Sequence, residues 1–348
     1  MPPPVSTPTD PTPQALAAAG QGPAPAASAA AAAPAPPVTA QAGREASFIG
    51  QWDALIQVLA AALQDAGPRT DWLSRVIRSH RRIHDLDVRN LDGSLYYLIF
   101  LSGQPQVNYS ALHGMAVCVI CHAVARVLGW PKDWIQAVGL AALTMNASMT
   151  DLQNELAAAD VQPTPEMKEE IQEHPVKTQG LLQVCGVEDP LWSGAVRWHH
   201  AHHQDHLPIE ELSPPSQLAR LLKRVDLFTA RLSRRRNRAP MSPLQAARRA
   251  CIGPSGQLDE IGSALLKAVG LYPPGTFVEL ASREIGIVVA RGVRADLPQV
   301  VCPRWTDASA LQAAARRDTG NSAYRVTRSI PAVTINAGLD HDRLLSLS

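Results

Sequence analysis

Arg197-Trp198-His199-His200-Ala201-His202-His203-Gln204-Asp205-His206 holds five of the chain's eleven histidines within eight residues. Neighbouring imidazoles are a common way to hold a transition ion. Alone, the cluster also has a lesser reading as a solvated loop. What surrounds it favours a helical bundle. Pro190 opens a helical stretch that runs to about Gln204 and carries the cluster. Downstream, Pro215 to about Arg236 is a strong helix, with Leu218, Leu221, Leu222, Val225 and Phe228 as its apolar stripe. Asp226 interrupts that stripe, and a carboxylate in apolar surroundings is costly unless paired, hydrogen-bonded or coordinated.

Working outward, helical signals extend from Phe48 to about Gly270. Phe48, Trp52, Leu55, Ile56, Leu59 and Leu63 share one helix face. Asp71 to Leu86 and Asn90 to Leu101 add two more helices to this lead-in. Ser110 to Leu128 predicts a long helix closed by Gly129, and Lys132 to Met145 another. Thr164-Pro165-Glu166 is a helix start, and that helix is expected to run toward His174 and be interrupted by Pro175. Leu258 to Val269 is the last helix, ended by Gly270. The periodicity then changes to that of strands. Gly275 to Ala281 and Glu284 to Ala290 predict a β-hairpin, with further short strands at Gln299–Pro303 and Tyr324–Ile330.

The fold class is therefore mainly α, with a small β extension. The expected division is 1–45, 46–105, 106–270 and 271–348: a disordered Pro/Ala-rich tail, a helical lead-in, a helical domain and the extension. The tail lacks the basic start and leucine-rich core of a signal peptide and reads as a flexible tether. A net charge of +1 gives no footprint for nucleic acid. The five cysteines have no framework spacing, which points to a reducing compartment. Cys118 and Cys121 form a CxxC, but within an apolar run they read as core packing. No apolar run reaches the roughly 20 residues that span a bilayer, so no membrane association and a cytoplasmic location are expected.

The polar residues set into apolar helices are His113, His174, the His199-His200 pair and Asp226. Each has an ordinary reading as a hydrogen-bonded core residue. Together, on successive helices, they would suit a metal site at a bundle centre. Their order and spacing resemble the HD-GYP branch of the HD-domain metal-dependent phosphohydrolases, whose known members mostly hydrolyse cyclic di-GMP. Tyr109 to His113 resembles the segment bearing that family's first metal histidine. Glu173 to Leu182 resembles its "HP..G..LL" segment, and His199-His200 the pair opening "HHE..DG.GYP". Leu218 to Ala230 resembles its "RIL.VAD.FDAL" helix, with Asp226 at the last ligand position. Arg235 and Arg238 fall where "RPYR" would stand, and Tyr272-Pro273-Pro274-Gly275-Thr276 begins a "YP.GT" extension. The resemblance covers about residues 50 to 305. It implies an HD-domain bundle, a metal set of His113, His174, His199, His200 and Asp226, and substrate contacts from Arg235 and Arg238.

The departures bear on activity. Where the family has "HD.GK", this chain has Met145-Asn146-Ala147-Ser148-Met149. The resemblance implies that the replaced aspartate bridges two metal ions. A neutral amide lacks the charge for that, and a thioether is too soft for the ions of hydrolytic sites. Ala201 and Gln204 replace the Glu and Asp of the signature, and no Gly-Tyr-Pro follows. One divalent transition ion (Fe, Mn or Zn) on His174, His199 and His200 remains a reasonable residual site; the other reading is a satisfied polar core without metal. Arg234 to Arg238 reads either as a solvated face or as a phosphate clamp.

Three functional readings follow. The first is a protein of cyclic di-GMP signalling type, impaired in hydrolysis, that acts by binding a cyclic dinucleotide or a signalling protein. The alternative is an active phosphodiesterase with a remodelled site. The last is a structural module needing neither metal nor nucleotide.

Overall fold

The structure is a computed structural model that describes residues 47–347, apart from 106, 161, 203–204, 237, 253–255, 304–313 and 333–338. The tail over 1–45, His203 and Gln204 lie outside the described residues. Twelve helices are described: α1 (Phe48–Gln64), α2 (Trp72–Arg89), α3 (Leu91–Ser102), α4 (Tyr109–Val127), α5 (Lys132–Thr144), α6 (Thr150–Ala158), α7 (Pro165–Val184), α8 (Pro190–Trp198), α9 (Pro214–Leu232), α10 (Pro243–Cys251), α11 (Glu260–Val269) and α12 (His341–Ser346). Strands β1 (Phe277–Leu280), β2 (Ile285–Ala290), β3 (Gln299–Cys302), β4 (Ala315–Asp318) and β5 (Val326–Ile330) form one antiparallel sheet in the order β4-β3-β2-β1-β5. The mainly α architecture with a small C-terminal sheet is as the sequence predicts.

The centre of the bundle is α4. Seventeen of its residues, from Tyr109 to Ala125, are buried. With 19 residues and one basic side chain it is long and apolar enough to cross a membrane, which corrects the expectation that no run qualifies. Its apolarity is used inside the molecule, where almost all of it is covered by other helices. Gly114 allows close approach to α5: a Cβ there would lie 3.3 Å from the Ala142 carbonyl oxygen.

Most helix starts follow from local chemistry. Ser47, Asn90, Thr164, Asp189 and Asp259 each accept a backbone N–H of the first turn. Three ends differ from expectation, α9 stopping at Leu232 instead of about Arg236. Helix α7 does not stop at Pro175 but continues to Val184. Helix α8 ends at Trp198 instead of continuing to about residue 204, so the His199-His200 pair lies just beyond a helix C-terminus. Helices α6, α10 and α12 and strand β4 are short elements, of four to nine residues, that the sequence reading does not include.

Side chains of the sheet alternate as strand geometry requires. Phe277, Ile287, Val289, Val301 and Ile330 join the helical core, while Val278, Leu280, Val288, Val300 and Cys302 form a cluster on the other face. Arg291 fastens the sheet to the lead-in, its Nε donating to Asp92 at 2.6 Å. Gly275, at φ +87°, crosses α3 so closely that a Cβ would lie 2.3 Å from the Tyr96 carbonyl oxygen.

Candidate metal centre

His174 from α7 and His199-His200 after α8 come together. One ligand atom from each lies within 4.8 Å of the others, and His174 and His199 are fully buried. The Nε2 atoms of His174 and His199 face each other at 3.1 Å. His200 is exposed and closes the group on its outer side, its ring 4.1 Å from that of His199. Burial lowers the pKa of all three, that of His174 to about 4, aided by His200 beside His174 and His199. Neutral imidazole is the form that ligates.

The tautomers follow from the backbone. Pro175 has no N–H, so the Ile171 carbonyl one turn back loses its helical partner. His174 Nδ1 takes that place, 2.5 Å from Ile171 O. At the C-terminus of α8, where carbonyls are left over, His199 Nδ1 lies 2.7 Å from Val196 O. Both Nδ1 atoms therefore carry the proton, and both Nε2 atoms present bare lone pairs to one another. Two such lone pairs at 3.1 Å repel unless something positive lies between them. The donor set thus fits a divalent transition ion, with His174 and His199 each oriented by a hydrogen bond from the other ring nitrogen.

The remaining residues of the expected set lie alongside. Asp226 of α9 accepts from His113 Nε2 at 2.7 Å and feels the imidazoles of His200 and His199. Burial raises its pKa, but the His113 hydrogen bond and the nearby imidazoles outweigh that and hold it well below the usual range. His113 Nδ1 is buried without a partner. The Tyr109 ring stacks on His113 at 5.5 Å and 7°. Arg235 lies over the other part of this stack, 5.0 Å from the Tyr109 centroid, and its Nη2 donates to the Tyr109 hydroxyl at 3.0 Å. Arg238 turns inward, donating to Ala230 O at 2.5 Å, with its Nε buried and unpaired. Its pKa is lowered by burial and by Arg235. The loop after the pair is held by Lys223, whose Nζ donates to Ala201 O at 2.8 Å and Asp205 at 2.7 Å.

At the end of α5, Met145, Ser148 and Met149 are engaged in packing and hydrogen bonding. Met145 is 1% exposed in the main core. Met149 packs with Leu152, Leu156, Met167 and Ile171 in a separate apolar cluster. Ser148 Oγ is shared between His174 O and Thr178 Oγ1.

A second group of ligand atoms, from His80, Cys118 and His122, was missed by the sequence reading. The available signal was spacing: His80 and His84, and Cys118 and His122, are each at i,i+4 on a helix.

No family profile matches the chain, and no solved structure does. Over 188 residues the chain is 27% identical to a cyclic di-GMP phosphodiesterase of Pseudomonas aeruginosa. The match covers 52% of this chain and 44% of that protein, so the chain spans less than half the length of its curated relative. The similarity thus places about half of this chain beside part of a phosphodiesterase.

Proposed function

We propose that the chain is an HD-GYP-like member of the metal-dependent phosphohydrolases, working in cyclic di-GMP signalling by binding the dinucleotide without hydrolysing it. The observation that carries this reading is the contrast between two halves of one site. The His174–His199–His200 group keeps the ligand chemistry, with His113 and Asp226 beside it. The stretch that would supply the bridging carboxylate is Met145 to Met149, three of whose side chains are buried in apolar clusters.

A bound divalent ion would supply positive charge to polarise a phosphoryl oxygen. The chain's own residues do the rest. The three imidazoles present neutral donors. Asp226 adds a negative charge and keeps 20% of its side chain exposed. Arg235, braced on Tyr109, presents a guanidinium suited to a phosphate. Nothing described at the end of α5 offers a second carboxylate, which supports the reading without two-ion hydrolysis.

The second reading is an active enzyme with a single ion, favoured by the intact three-histidine group. The full chain should be purified, its metal measured, and cyclic di-GMP binding and hydrolysis assayed side by side. Binding without turnover, and a metal equivalent lost in His199→Ala, are expected. Turnover that disappears in His199→Ala would replace the first reading with the second. Absence of both metal and nucleotide binding would reject both.

A further inference from the structure

The second cluster lies between α2 and α4, away from the centre just described. His122 is nine residues beyond His113 on α4, about 13 Å along the axis and on the opposite face. His80, Cys118 and His122 are all buried. His80 Nε2 and His122 Nε2 are 3.2 Å apart, and Cys118 Sγ is 3.6 Å from His122 Nε2. Zinc takes imidazole nitrogen at about 2.05 Å and thiolate sulfur at about 2.3 Å. At tetrahedral angles those bonds place the nitrogens about 3.3 Å apart and nitrogen and sulfur about 3.6 Å apart. The side chains are already spaced for an ion.

Their surroundings are built to match. His122 Nδ1 donates to Asp87 Oδ2 at 2.6 Å, which leaves its Nε2 bare and directed at the other two ligands. Asp87 is fully buried on α2 and is fixed in turn by Arg126 Nη2 at 2.6 Å. This carboxylate–histidine arrangement is the usual support behind a metal-bound imidazole. Space is reserved by Gly139 of α5: a Cβ there would lie 2.2 Å from His122 Nε2 and 2.4 Å from His80 Nε2. His80 also lines an open pocket of about 720 Å3 whose other walls include His84, Asp85 and Arg126.

We infer that His80, Cys118 and His122 form a second metal centre, for Zn2+ or another borderline divalent transition ion. Mixed nitrogen and sulfur donors exclude Mg2+ and Ca2+. On binding, the metal–sulfur bond replaces the Cys118 S–H bond, and the proton leaves to solvent. Three protein ligands leave one position for a solvent or cavity ligand. This centre is independent of the function proposed above.

The test uses Co2+ on the metal-stripped full chain in a His199→Ala background, which empties the histidine-only group. A thiolate-to-cobalt charge-transfer absorption is expected at one equivalent. It should vanish in Cys118→Ser, checked for folding by circular dichroism. In His80→Gln, which keeps the thiolate, Co2+ affinity should fall at least tenfold. Absence of the absorption, its persistence in Cys118→Ser, or unchanged affinity in His80→Gln would each overturn the assignment and leave a hydrogen-bonded core cluster.

Discussion

Pro175 combines a cost and a use in one residue. A proline inside a helix costs about 3 kcal/mol, through the lost N–H and the clash with the preceding turn. Here the carbonyl it frees, Ile171 O, fixes the proton of His174 on Nδ1 and so aims a bare Nε2 at His199. Pro175→Ala would return a backbone N–H to Ile171 O and displace the imidazole. In chelator-treated protein this variant should gain about 1–2 kcal/mol, after allowing for a freer unfolded chain. Its affinity for divalent metal at the His199 group should drop by about tenfold, the lower end of what outer-shell partners contribute. Denaturant melts and a competitive metal titration read the two effects, and a variant that changed both in the same direction would refute the coupling. Arg235 gives the corresponding substrate-side case. It contacts Tyr109 and not the imidazoles, so Arg235→Ala should leave metal content unchanged. Its cyclic di-GMP affinity should fall about tenfold, for the loss of one charge-assisted contact; an unchanged affinity by calorimetry would remove Arg235 from the ligand site.

At the scale of elements, the end of α5 is where packing bears most directly on the proposed loss of hydrolysis. Met145 belongs to the main core, and Met149 seats against α6 and α7. Introducing a histidine and an aspartate (Met145→His with Asn146→Asp) would therefore bury an imidazole where Met145 packs and place a charge beside it at the half-buried Asn146. The double variant should lose about 2–4 kcal/mol by urea denaturation and still fail to hydrolyse cyclic di-GMP. Recovery of turnover would mean that the scaffold had stayed competent and only the dyad was missing. The same elements show what the sequence could and could not tell. Helices with a strong apolar face and a capping residue, such as α1 and α9, were legible because burial and periodicity agree. The run of α7 through Pro175 was not, since local chemistry argues for a break and only the tertiary fold holds the helix together. His113, His174, His199, His200 and Asp226 could be picked out as polar residues in apolar stretches. The pairing of His113 with Asp226, apart from the three histidines, depends on side-chain directions that no spacing rule supplies. The His80–Cys118–His122 group joins two helices some forty residues apart in sequence, and only the i,i+4 half of it was ever visible.

Across the whole molecule, the most telling quantity is how stability responds to acid. His80, His122, His174 and His199 are all buried, and burial lowers the pKa of each, His80 to about 3 and His174 to about 4. In the unfolded chain each titrates near about 6.5. Below that value the unfolded chain takes up protons that the fold refuses, so its free energy falls relative to the native state. The stabilising contribution is thus complete above pH 6.5 and is lost progressively as pH drops toward 4. Each histidine that stays neutral contributes a slope of about 1.4 kcal/mol per pH unit, so two of the four suffice for about 3 kcal/mol per unit. Between pH 6.5 and 4 that slope removes about 7 kcal/mol, half or more of a total of about 5–15 kcal/mol, from the metal-free protein. Divalent metal should steepen the dependence, because ligation requires the same neutral imidazoles and stabilises the fold most where they are unprotonated. Denaturant melts from pH 7.5 to 4.5, with chelator and with Zn2+, measure both slopes. A stability that stayed flat between pH 7 and 5 in chelator would mean that these imidazoles are protonated or solvated in the fold, and neither histidine cluster could then be arranged as a ligand set.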